Sequence, residues 1–146
     1  DWSVRYAIAN SCGHILRKQA LKQLDELLTK NLQGTQNRNK QYEFKKKYVE
    51  ALGTIAIPES LDILVKMLGK EYQKYGNDAK DLIVQIIYSM GELGTIKAIA
   101  PLQQITLEHS PYSQSMKNSA HHALEKIAKN NGYSSKRQML EKISQE

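Results

Sequence analysis

Apolar side chains recur along this chain at spacings of three and four. Around Cys12, Val4 and Ile8 lie eight and four residues before, and Ile15 three after. The same offsets give Phe44, Tyr48 and Ile55 around Leu52, and Leu82, Ile86 and Leu93 around Met90. Around Leu124 they give Met116, Ala120 and Ile127. A helix turns ~100° per residue, so each set shares one helical face. The four centres are 40, 38 and 34 residues apart. A second register follows each of the first three. Ala20, Ser60 and Ala98 sit eight residues beyond their centres. Leu21/Leu61/Ile99, Leu24/Leu64/Leu102 and Leu27/Met67/Ile105 come next. The fourth unit shifts this register to Met139, Leu140 and Ile143, as terminal repeats often do.

Each unit therefore holds two amphipathic helices joined by a short turn. The predicted helices are 2–15, 18–32, 42–55, 58–75, 79–93, 97–108, 113–130 and 134–144. They group into units at about 1–32, 42–75, 79–108 and 113–144 of a single repeat domain. Connections are expected at 32–41, 74–80 and 109–114. A period near ~40 with two helices per unit predicts an all-α fold, a right-handed α–α superhelix of four stacked pairs. One pair cannot bury its apolar face alone, whereas stacked pairs share a continuous core. The chain opens inside a helical pattern, with Asp1 as a cap. We therefore expect a fragment of a longer repeat protein, or a disordered start.

The punctuation fits this reading. Asp1 is placed to accept a backbone N–H at the first helix start. Pro58 reads as a first-turn residue, where its missing N–H costs nothing. Pro101 lies about one turn into its helix. The glycines of "LGTI" and "MGELGTI" are expected to serve the turns between paired helices. They lack the spacing and the Lys of a phosphate loop.

Composition narrows the class. The 146 residues are 40% hydrophobic and 25% charged, as in globular chains. The one Cys excludes an internal disulfide framework and favours a reducing, intracellular compartment such as the cytoplasm. No apolar run approaches the ~18 residues of a membrane span. The net charge of +6 favours acidic partners. Basic residues cluster at Arg38, Lys40, Lys45, Lys46 and Lys47, with Lys30 before them and Glu43 among them. No aromatics or glycines interleave them as in single-strand binders.

Reactive apparatus is scarce. Cys12 occupies the column of Leu52, Met90 and Leu124 and reads as a small core residue. His14 lies across the helix from it and is not placed to activate it. His121 and His122 point ~100° apart and do not chelate together, so no metal site is expected. His109 reads as a helix-end residue, suited to the dipole there. Asp25 and Glu26 diverge on their helix and make a poor acid/base pair.

The opening "DWSVRYAIANSCG" resembles the D-x-x-V-R-x-x-A…L-G signature of HEAT-type repeats, through Asp1, Val4, Arg5, Ala7 and Cys12–Gly13. "ALGTIAIPESLDILVKML" and "SMGELGTIKAIAPLQQI" resemble the joint and second helix of that repeat. The resemblance implies a scaffold that holds a partner along a concave groove lined by the second helices. On that basis the partner-binding strip comprises Lys22, Glu26 and Thr29, then Asp62, Lys66 and Lys70, then Gln104. The strip is mixed in sign, which suits a protein partner with an acidic surface better than a phosphate backbone. In such arrays an Arg at the place of Arg5 often links units; with Trp2 and Tyr6 it would form a stacking edge. Within the family, "DWSVRYA" is similar to cyanobacterial and red-algal E/F-type phycobilin lyase subunits and phycobilisome-associated proteins. That likeness implies a chaperone delivering an open-chain bilin to a phycobiliprotein, and chromophore attachment as the one activity if there is turnover. No other cofactor is expected. Nucleic-acid binding through the basic 30–47 segment is the alternative. Alkylpurine DNA glycosylases built from similar repeats set a catalytic Asp among aromatics, and Asp62 here has none beside it.

Overall fold

The computed structural model describes Val4 and residues 16–146. Among the described residues there is no strand. The helices are α1 (Arg17–Gln33), α2 (Arg38–Ile55), α3 (Pro58–Tyr75), α4 (Lys80–Leu93), α5 (Ile99–Thr106), α6 (Gln114–Asn130) and α7 (Lys136–Ser144). Short 3₁₀ turns at Gly76–Ala79 and Ile96–Ala98 lead into α4 and α5. The chain is thus all-α, and seven of the eight expected helices are seen at close to the expected bounds. The eighth, 2–15, lies outside the described residues apart from Val4, which is helical and exposed.

Local chemistry sets the helix ends. Asn37, Ser113 and Ser135 each precede a helix and accept a backbone N–H three residues on, at 3.1, 3.4 and 3.1 Å. The Asn37 cap lets α2 start at Arg38, so the connection expected over 32–41 shrinks to residues 34–37. Pro58 occupies the first turn of α3, as its fixed φ favours. The fifth helix stops at Thr106 rather than 108, because Leu107 turns extended at φ −57°, ψ 141°. The Ser110 hydroxyl then takes the Ile105 carbonyl at 2.7 Å. His109 consequently sits in the loop beyond the helix rather than at its end.

Most described members of the recurring columns are core, with Leu27, Phe44, Met67 and Leu93 half-buried at its margin. Leu52, Met90 and Leu124 are 0–1% exposed, and Leu24, Leu64 and Leu102 are 0–2% exposed. Each such side chain contributes ~1.5–3 kcal/mol of gross burial. The first helices of successive units, α2, α4 and α6, pack side by side in a row. The second helices α1, α3 and α5 pack chiefly against the first helix of the following unit.

Glycine makes the row tight, which corrects the reading of these residues as turn glycines. Gly53 and Gly91 lie inside α2 and α4. A Cβ on Gly53 would stand 3.0 Å from the Ser89 Cβ, and one on Gly91 3.0 Å from the Ala123 Cβ. Of the joint glycines, Gly94 does serve a turn, closing α4 at φ +66°.

Hydrogen bonds between units repeat the period. Leu82 N–H donates to the Tyr42 hydroxyl at 2.6 Å, and the Ser89 hydroxyl donates to the Val49 carbonyl at 3.0 Å, each across 40 residues. The Tyr72 hydroxyl donates to the Pro111 carbonyl at 2.7 Å across 39. The Asn131 side-chain amide donates to the Gly94 carbonyl at 2.8 Å across 37. Three of these bonds join consecutive expected units, and Tyr72 reaches the connection after the third, all at separations close to the spacing of the apolar columns. No described helix is long and apolar enough to cross a membrane.

Candidate functional site

The second helices carry the residues expected to meet a partner, and all seven are exposed. Lys22, Glu26 and Thr29 lie on α1, Asp62, Lys66 and Lys70 on α3, and Gln104 on α5. The core faces of these helices are turned the other way: Leu24, Leu64 and Leu102 are buried at the opposite side of each cylinder. The Thr29 hydroxyl is used locally, donating to the Asp25 carbonyl at 2.9 Å. Asp25, beside the strip but not of it, accepts the Tyr48 hydroxyl with its carboxylate. That bond and the burial of Tyr48 push the phenol's pKa well above its ordinary value, burial first. Among the described residues Lys22, Glu26, Lys66 and Lys70 make no ion pair. The rim of the face is laced instead by Lys18–Glu59 at 3.1 Å, between α1 and α3. The Glu59 carboxyl is held below its usual range, first by a hydrogen bond from its own backbone N–H and then by Lys18.

The basic run does not form one patch. Arg38 and Lys45 are seven residues apart, nearly two full turns, so they share the face of α2 turned towards α3. There Arg38 lies 4.8 Å from the centre of the Tyr75 ring and Lys45 lies 5.9 Å from it. Lys74 stands 5.1 Å from the same ring. Lys45 is also tied to the buried Glu71 carboxylate at 2.7 Å. Lys40 and Lys47, again seven apart, share a different face, and both are exposed. Lys46, half-buried, points a third way. Sequence proximity therefore overstates the local positive charge.

Around Tyr75 the units meet in a crevice of about 360 Å³. Its lining mixes the cations Arg38 and Lys45 with Glu71, Asp78 and Asp81, and Lys45 is already paired to Glu71. Mixed charge of this kind offers no single-sign cradle for phosphate. A second crevice of about 310 Å³ lies between α4 and α6, walled by Val84 and Tyr88 over Gly91 and Ala123. Tyr88 is 58% exposed there. Lys126 caps its ring at 5.2 Å and pairs with Glu92. The sequence reading missed both crevices. The available signal was Gly91 inside a helix, which permits close approach and leaves a groove beside the contact.

Of the two histidines of α6, His121 sits at a helix junction and His122 lines the crevice between α4 and α6. The Lys136 ammonium sits 2.8 Å from His121 Nδ1, and Lys136 N–H donates to Glu125 at 3.1 Å. The His121 pKa is lowered by partial burial, then by Lys136 and His122. Among the described residues no three His, Cys, Asp or Glu side chains gather in metal-holding range. Trp2, Arg5 and Tyr6 of the expected stacking edge, with Asp1, Cys12 and His14, lie outside the described residues. Comparison with protein-family models, with curated proteins and with solved structures returns no match to this chain.

Proposed function

We propose that this chain is a non-catalytic scaffold of HEAT-type repeats, coiled as a right-handed α–α superhelix, that holds another protein against its second helices. The observation that carries the reading is the set of inter-unit hydrogen bonds at 37 to 40 residues, coincident with the period of the buried columns. The bonds run from the second expected unit to the fourth, and on this reading the stacked units present an extended face of the kind repeat arrays use for binding. The face on α1, α3 and α5 is polar and accessible, and its lysines favour a partner with acidic surface. The narrower reading, a bilin-lyase-like chaperone acting on phycobiliproteins, rests on "DWSVRYA" and on that resemblance alone.

The test is capture of partners from the source cell extract by the immobilised chain. A triple variant, Lys22→Glu with Lys66→Glu and Gln104→Ala, serves as control. The reading expects one or a few proteins retained by the parent and lost by the variant. Retention of nothing, or equal retention by both, refutes it. Adding phycocyanobilin and following the visible spectrum tests the narrower reading, which an unchanged spectrum removes. Affinity for duplex DNA that survives ~200 mM salt would favour the nucleic-acid alternative, because purely electrostatic binding falls steeply with salt.

A further inference from the structure

Helix α3 is unusual on its outer side. Asp62, Lys66, Gly69 and Gln73 are all exposed and are spaced four, three and four residues apart, a stripe down the middle of its solvent face. That spacing is the one by which two helices pack along each other. Gly69 stands at the centre of the stripe, and among the described residues no atom outside its own stretch of helix lies within 4 Å of the place a Cβ would take. Its position differs from those of Gly53 and Gly91, which admit a neighbouring helix. A mid-helix glycine costs stability, and among the described residues no neighbour uses the space it leaves. Val65, one turn before it, is an aliphatic side chain left 36% exposed.

Charge specifies what fits there. Lys66, Lys70 and Lys74 follow one another at four-residue spacing, where like charges repel. Among the described residues none of the three has an ion-pair partner; Lys74 meets only the Tyr75 ring. Asp62 stands one turn before Lys66 without pairing to it. The row is destabilising in the free chain and is relieved by acidic groups brought alongside.

We propose that this face of α3 docks an acidic amphipathic α-helix of a partner protein. The partner's backbone or a small apolar residue would press onto Gly69 and Val65, and its Glu or Asp side chains would reach Lys66, Lys70 and Lys74. Glycine at the crossing point lets the two helices approach closely, as it does between α4 and α6. A protein helix fits better than nucleic acid. The lysine row runs for two turns only, ends at Asp62, has Glu26 on the neighbouring α1, and offers no exposed ring for a base. This inference rests on the scaffold reading and names the partner's chemistry at one face.

The probe is a yeast-displayed library of helical peptides randomised on one face, selected against the intact chain at ~150 mM salt. Enriched peptides are expected to carry Glu or Asp flanking a small apolar stripe. Lys66→Glu with Lys70→Glu should weaken them about tenfold or more, with the loss reduced at high salt. Gly69→Gln keeps the charge and improves helix propensity. It should raise the melting temperature yet weaken the peptides about tenfold by blocking the approach. Peptides that are basic or neutral, or that bind the Gly69→Gln chain as tightly as the parent, overturn the inference. So does duplex DNA bound through the lysines with no sensitivity to Gly69→Gln. Peptides that bind but ignore every α3 substitution overturn it while leaving the scaffold reading standing. No enriched peptide, with no partner captured from extract, removes both.

Discussion

Two glycines inside helices should respond to the same substitution with opposite sign. Gly69 and Gly91 both occupy helix interiors, so Gly→Ala gains ~0.8–1 kcal/mol of helix propensity at either. At Gly69 the new methyl meets no atom of another described element within 4 Å, and the gain should appear in full. For a chain of this size that is an increase of ~2–4 °C in melting temperature. At Gly91 the methyl would stand 3.0 Å from the Ala123 Cβ and 3.1 Å from the Ala123 Cα. Ordinary carbon contacts are ~3.5–4.0 Å. Neither atom can swing away, since one is backbone and the other is the whole of a rotamerless side chain. The row of α4 and α6 must part by ~0.5–1 Å to admit contacts of that length. Overpacking of this kind costs ~1–3 kcal/mol, which leaves Gly91→Ala a net ~0–2 kcal/mol less stable. Urea unfolding followed by far-UV circular dichroism reads both. A Gly91→Ala chain stabilised as much as Gly69→Ala would refute the close contact between α4 and α6. A Gly69→Ala chain that is destabilised would refute the open space over α3.

Other outcomes follow from single contacts. Ala56 closes α2 in the left-handed region at φ 53°, where unit three has Gly94 at φ +66°; Ala56→Gly should stabilise by ~1 kcal/mol, read as a rise in urea midpoint. Ser60 is fully buried and its hydroxyl has no partner among the described residues, in a column otherwise held by Ala20 and Ala98; Ser60→Ala should leave thermal stability unchanged or raise it by ~1 kcal/mol, and a fall would reveal a further hydrogen bond. Tyr42 is the acceptor for the Leu82 N–H in the first turn of α4; Tyr42→Phe should cost ~1–2 kcal/mol and speed hydrogen exchange at Leu82. His121 should titrate below 6.5 by NMR, and Lys136→Gln should move it up. Because the unfolded chain binds that proton more readily, the His121 contribution to stability is present above about 6.5 and lost as pH falls through that value towards the folded pKa.

The sequence pattern reached the helices because each one buries a single face, and periodicity reports that directly. Leu52, Met90 and Leu124 were aligned by spacing alone and are all buried. The ends were less legible where the cap is a side chain on a long polar joint. Asn37, Ser113 and Ser135 decide three helix starts, yet each sits among other polar residues that look equally suited. Glycine was misread for a related reason. Within "LGTI" and "MGEL" the glycine adjoins the turn in sequence, but its role is set by Ser89 and Ala123 on the next unit. The candidate face was legible as exposure and no further. That Lys45 is spent on Glu71 while Lys66 and Lys70 stay unpaired depends on which helices meet.

On the scaffold reading proposed above, the contacts between units also decide where a partner can dock without unfolding the array. In a repeat stack each unit is stabilised by its neighbours, so a substitution at a unit interface acts on both flanking units. Tyr42, Gly53, Ser89, Gly91 and Asn131 all sit at such interfaces. The outer stripe of α3 does not: Lys66, Gly69 and Gln73 touch neither the row of first helices nor an inter-unit bond. Binding residues there can change while the core columns stay in register. Variants on that stripe should therefore alter partner affinity with little loss of folding cooperativity, whereas variants on the first-helix row should do the reverse. That separation makes the α3 face a clean place to test recognition in this chain.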